Sequence, residues 1–96
     1  MYKVIVLDQA FDDIKAAADN LDGYSFGLGR DLVIEFTEAL KRLEQFPLAS
    51  PMVEDGIRRF YMPRFEYIIY FRVSSDTVQI FAIYHARRKP LDFSSI

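Results

Sequence analysis

The sequence predicts an α+β domain of order β-α-α-β-β-β, with an N-terminal helical hairpin packed on a mainly antiparallel, curved sheet. Three observations predict it. The chain opens on a β-branched apolar run, two stretches then repeat apolar residues at helical spacing, and strand-like aromatic runs fill the last 40 residues. At 96 residues, about half of them apolar, the chain suits one domain over residues 1–96 with a real core and little stability to spare.

Each element has its own signal. Residues 2–7 are apolar except for Lys3 and read as a buried strand. Asp8 is placed as an N-cap, and Asp12 and Asp13 favour the positive end of a helix. Phe11, Ile14, Ala18 and Leu21 carry that helix over about 9–22, and Gly23, Gly27 and Gly29 mark a turn. Leu32, Phe36, Leu40 and Leu43, flanked by Val33, Ala39 and Phe46, give a second helix over about 28–46, which stops at Pro47. So short a connection makes the two helices an antiparallel hairpin. Residues 47–56 form a loop, followed by strands at Ile57–Tyr61, Phe65–Val73 and Thr77–Tyr84. The last two are joined by Ser74-Ser75-Asp76 into a hairpin, and a tail follows from about residue 86.

Composition excludes several classes. There is no cysteine, so neither a disulfide framework nor a thiolate metal site is expected. No apolar run approaches the roughly 20 residues of a membrane helix. The opening Met1–Asp8 is too short and too soon acidic for a signal peptide, so a cytoplasmic protein is expected. The net charge of −2 hides an asymmetry: residues 1–56 hold five Lys/Arg against eleven acids, and residues 57–96 hold seven against three. A basic C-terminal half points to an anionic partner surface.

The cations fall in pairs at strand ends. Arg58-Arg59 precede the third strand signal, and His85, the single histidine, stands before Arg87-Arg88-Lys89. Successive strand residues face opposite sides, so Arg58 and Arg59, and Arg87 and Arg88 if the strand persists that far, each leave one member for the structure, paired with helix acids such as Glu35 or Glu38, and one for a partner. His85 has no second histidine and no nucleophile beside it, so a structural or binding role is expected over catalysis. Asp12, Asp13, Asp19 and Asp22 read as a solvated helix face, and no metal or cofactor is expected. Glu66, Tyr70 and Arg72 share the alternate face of their strand, Phe71 reads as core, and Leu91, Phe93 and Ile96 are expected to dock on the domain or on a partner.

These pieces in this order resemble the RelE/ParE toxins of bacterial type II toxin–antitoxin pairs. The resemblance runs through Ala10-Phe11-Asp12-Asp13-Ile14, Leu43-Glu44-Gln45-Phe46-Pro47, the arginine pair before Tyr67-Ile68-Ile69-Tyr70, and His85-Ala86-Arg87-Arg88 with Pro90 just beyond. It implies the same small α+β fold, and a cognate antitoxin that wraps an extended, largely acidic segment around the domain. A homodimer or a toxin–antitoxin hetero-oligomer is the implied assembly.

The resemblance covers two activities: ribosome-dependent cleavage of mRNA by RelE-like members and inhibition of DNA gyrase by ParE-like members. RNA cleavage without a metal needs proton transfer as well as cations around the phosphate. Matched by position, the third-strand arginine of nuclease members falls near Tyr67, and their tail tyrosine falls near Phe93, which has no hydroxyl. Their lysine-rich stretch is represented by Arg58, Arg59 and Arg64, which hold their protons. The reading is therefore a ParE-like gyrase inhibitor that works by contact, through Arg58, Arg59, His85, Arg87, Arg88 and Lys89. The alternatives are an mRNA nuclease using Arg87, His85 and Arg59, and an inactive interaction module of the same fold.

Overall fold

The computed structural model describes residues 1–88. Its elements are β1 (Lys3–Val6), α1 (Asp8–Asp22), α2 (Leu28–Gln45), a 3-10 turn (Pro47–Ala49), β2 (Met52–Glu54), β3 (Ile57–Met62), β4 (Tyr67–Ser74) and β5 (Thr77–His85). They build one five-stranded sheet of order β1-β5-β4-β3-β2. β1 runs parallel to β5 and every other pairing is antiparallel. The α+β order and the helical hairpin are as the sequence predicts.

The helices differ from expectation in detail. Asp8 is the first helical residue rather than the cap; Leu7 takes the cap position with no side-chain hydrogen bond. Asp8 still lies in the first turn, where the exposed N–H groups favour negative charge. The buried stripe of α1 is Ala10, Ile14 and Ala17, so Phe11 is left 60% exposed. In α2 the core residues are Leu32, Phe36, Ala39 and Leu43, while Val33 and Phe46 point to solvent.

Two aspartates expected on a solvated face are structural instead. Oδ1 of Asp22 accepts the N–H groups of Gly27 at 3.2 Å and Gly29 at 2.9 Å, satisfying donors that the start of α2 leaves without partners. Oδ2 of Asp13 accepts the N–H of Ile83 at 3.0 Å and so ties α1 to β5. Gly29 is no turn residue; it is buried within α2, where a Cβ would stand 2.4 Å from the carbonyl oxygen of Ala18. The hairpin closes at this contact because no side chain intervenes.

The sheet departs from expectation at its edges. β1 is half exposed rather than buried, since it is an edge strand with only β5 beside it. The loop after α2 contains β2, a three-residue exposed strand that no alternation of side chains announces. Gly56, at φ 68°, lets the chain reverse from β2 into β3. Phe65 and Glu66 precede β4 rather than starting it, and Glu66 takes φ 60° in the turn.

β4 is the centre of the domain and is buried on both faces. Tyr67, Ile69 and Phe71 join the helix-facing core, while Ile68 and Tyr70 join a second cluster with Ile57 and Ala82 on the opposite, outer face. A bulge in β5 separates the Tyr70–Ala82 and Phe71–Ile80 partners, leaving Phe81 as the extra residue. Ile80 and Ile83 consequently both reach the helix side.

Gly29→Ala should destabilise the domain by about 1–3 kcal/mol, because backbone rather than a flexible side chain must move to admit the methyl group. Urea unfolding of the two proteins measures it, and an unchanged midpoint would refute the close-contact account.

Candidate functional site

The helices cover one face of the sheet, and the chemistry on the other follows from strand parity. Ile57, Arg59 and Tyr61 of β3 face outward, while Phe60 and Met62 pack toward the helices. Cross-strand pairing then lays out rows on the outer face: Tyr61 with Ile68 and Tyr84, Arg59 with Tyr70 and Ala82, and Ile57 with Arg72 and Gln79. Arg59 and Tyr61 border a cleft of about 440 Å³ that Pro51, Ile68 and Ala86 complete. Arg72 lies over the ring of Phe81, 5.4 Å from its centre. The outer face thus combines two cations with a tyrosine-rich floor.

Burial raises the pKa of Tyr70 above its ordinary 10.0, and the guanidinium of Arg59 partly offsets that rise. The phenol therefore keeps its proton at neutral pH and serves as a polar contact rather than a base.

The arginine pairs divide their labour. Arg58, on the helix side, donates from Nη1 to the carbonyls of Ser50 at 2.7 Å and Leu48 at 3.3 Å, holding the 3-10 turn against β3. The expected helix acids are not its partners: Glu35 accepts the N–H of Arg64 at 3.1 Å, and the Arg64 guanidinium pairs with Asp31 at 3.0 Å. Arg59 is the exposed member left for a partner.

The second cluster lies beyond the strand. β5 ends at His85, whose ring packs edge-on against Tyr67 at 5.1 Å on the helix-facing side. Its Nδ1 accepts the N–H of Arg87 at 3.1 Å and its carbonyl accepts the N–H of Arg88 at 3.1 Å. The histidine therefore shapes the turn. Arg87 pairs with Glu66 at 3.1 Å in an exposed contact, a type worth roughly 0–1 kcal/mol. Arg88 borders a small cleft with Asp13 and Tyr67 on the α1 side. Lys89, and the apolar tail residues Leu91, Phe93 and Ile96, lie outside the described residues.

The candidate cations therefore do not share one surface. Arg59 is on the outer face with Arg72, whereas Arg58, His85 and Arg88 belong to the helix side and the closing turn. Tyr61, Ile68 and Tyr84 were not singled out by sequence reasoning; only the strand register brings them into one row. Among the described residues, no group of three or more His, Asp or Glu could hold a metal ion.

Fold and face together define a small α+β domain with one helix-covered side and one outer side that carries cations and tyrosines over a buried cluster. A family model described as "ParE toxin of type II toxin-antitoxin system, parDE" matches residues 4–90. The chain belongs to this ParE toxin family. Among solved structures it is similar to a chain of the "Chromosomal ParDE TA system from P. aeruginosa", with a TM-score of 0.81 and 22% identity over 91% of this chain and 98% of that one. No curated protein matches it. At that identity the structural likeness speaks for the fold, and the family model carries the membership.

Arg58→Ala should cost about 1.5–3 kcal/mol, the range for charge-assisted hydrogen bonds, and Arg59→Ala within about 0.5 kcal/mol. Equal losses in denaturant titrations would contradict this division of roles. A raised Tyr70 pKa also sets the alkaline limb: its contribution to stability is complete below pH 10.0 and is lost as pH climbs toward the higher native value. Ultraviolet titration of the phenols beside a pH series of melting curves tests it, and Tyr70→Phe should flatten that limb.

Proposed function

We propose that this toxin arrests bacterial growth by binding DNA gyrase in the cytoplasm through its outer sheet face, and that a cognate antitoxin neutralises it. The carrying observation is the separation of Arg59 from His85 by the sheet. Strand-cleaving chemistry needs a cation and a proton-transferring group on the same phosphate. Here Arg59 and Arg72 lie on one side; on the other, Nδ1 of His85 accepts the N–H of Arg87, and the Arg87 guanidinium is paired with Glu66. Tyr70, the titratable neighbour of Arg59, is held protonated. A face with cations, tyrosines and no available base is suited to contact, and Tyr and Arg are the residue types that dominate binding energy at protein interfaces.

The antitoxin reading is supported by the family and by the ParDE title of the similar structure. Its expected acidic segment complements Arg59 and Arg72, and would steer association more than it adds affinity.

Induction of the chain should stop growth and inhibit supercoiling by purified gyrase while leaving transcripts intact. Arg59→Glu, with an unchanged circular dichroism spectrum, should weaken gyrase binding by roughly 30-fold, as the loss of a contact worth about 2 kcal/mol implies. Ribosome-dependent cuts within mRNA would overturn the gyrase reading in favour of a nuclease. Undisturbed growth would leave an inactive interaction module.

A further inference from the structure

A second concave surface lies between α2 and β3, on the helix side of the sheet. It is a groove of about 300 Å³ with Glu35, Ala39, Arg42, Tyr61, Met62 and Pro63 among its lining residues. Past Arg42 it continues to Phe46 and Pro51. The floor is apolar, for Ala39 and Met62 are fully buried beneath it.

One wall of the groove is an open strand edge. β2 covers only the start of β3, through Met52 with Arg58 and Glu54 with Ile57. The last bond on that side runs from the N–H of Arg59 to the carbonyl of Pro51 at 3.1 Å. In an antiparallel ladder, alternate residues turn both main-chain groups to the same side. Tyr61, two residues on, therefore aims its N–H and C=O into the groove, where no described residue pairs with them.

The charges are also unfinished. Oε2 of Glu35 accepts the Arg64 N–H, but Oε1 is buried and has no hydrogen-bond partner. Glu38 adds a second carboxylate nearby, bonded only to exposed Lys41 at 3.4 Å. Arg42, in the other half of the groove, forms no ion pair among the described residues.

We propose that this groove receives an extended segment of a protein partner, paired antiparallel with β3 and carrying Lys or Arg two residues before an aliphatic side chain. Strand addition supplies the main-chain partners that Tyr61 lacks. The residue opposite Tyr61 faces outward with it, and the residues on either side of that one face the groove. Glu35 lies beside Arg64, whereas Arg42 and Phe46 lie beside Arg59 and Phe60, so an antiparallel segment enters at the acidic end. Its first inward residue meets the acidic end of the groove, where exposed Glu38 stands beside Glu35, and a cationic donor suits it best. Its second lies over Ala39 and the exposed ring of Phe46 and is therefore apolar. A nucleic acid is disfavoured, because its phosphates would meet Glu35 and Glu38. The inference does not depend on the gyrase reading, as it concerns a different face.

The test is titration of the isotope-labelled full chain with the peptide acetyl-Thr-Arg-Val-Leu-Thr-amide, followed by amide NMR. Saturable shifts at Ala39, Tyr61 and Met62 and about tenfold slower exchange of the Tyr61 amide are expected, as for a donor newly bonded in a strand. Methylating the peptide's valine nitrogen, or replacing its arginine by glutamate, should weaken binding about tenfold or more, a change of at least 1.4 kcal/mol. Glu35→Gln should reduce the preference for arginine over glutamate. No shifts at millimolar peptide, shifts confined to Arg59, Tyr70 and Tyr84, or equal binding of the altered peptides would each overturn the proposal, and the peptide variants leave the protein's own fold untouched.

Discussion

The extra residue in β5 decides which side of the sheet every C-terminal side chain reaches. With Phe81 unpaired, Ile80 and Ile83 both face the helices, although strict alternation would put them on opposite sides. Alternation resumes one step out of phase, which carries His85 to the helix side against Tyr67. Without the bulge, alternation would put His85 on the outer face with Arg59 and Tyr61. One inserted residue thus separates Arg59 from His85, whose cationic neighbour is Arg87, itself paired with Glu66.

The same segment is where the hairpin of helices is fastened to the sheet. β1 runs beside β5 only as far as Ile80, whose carbonyl accepts the N–H of Leu7 at 2.9 Å before the chain turns into α1. From there the free side of β5 needs another acceptor, and the Asp13 carboxylate supplies it at Ile83. A buried N–H without a partner would cost about 1–3 kcal/mol, so this aspartate is no ornament of a solvated helix face. Its position one helical turn above Gln9, which donates to its other oxygen at 2.9 Å, keeps the carboxylate aimed inward.

What was legible in the sequence was periodicity over whole elements. Two amphipathic helices, the break at Pro47 and three C-terminal strands all follow from spacing, because burial of one face repeats over many residues. What was not legible turned on single residues or on contacts distant in sequence. β2 is too short and too exposed to leave an alternating pattern. The bulge has no residue signature, and it reassigns faces after itself. At the site, parity alone foretold that Arg58 and Arg59 would separate, but the partner of Arg58 is a pair of carbonyls in the 3-10 turn, which no charge pattern reveals. Tyr61 escaped notice for a related reason: its importance comes from a missing neighbour strand.

β3 therefore plays two parts with one residue. The Tyr61 side chain borders the outer cleft with Arg59, while its main chain forms the open edge beside α2. The side chain contributes an aromatic surface and the backbone contributes directional hydrogen bonds, so the two faces recognise different features of whatever meets them. They are also mechanically linked, since fixing the backbone of an edge residue restricts the rotamers of its own side chain. Pro51 reinforces the link: it ends the pairing along β3 by accepting from Arg59, and it borders both the outer cleft and the far end of the groove. β3, covered by β2 only at its start, thus borders both the outer cleft and the groove beside α2.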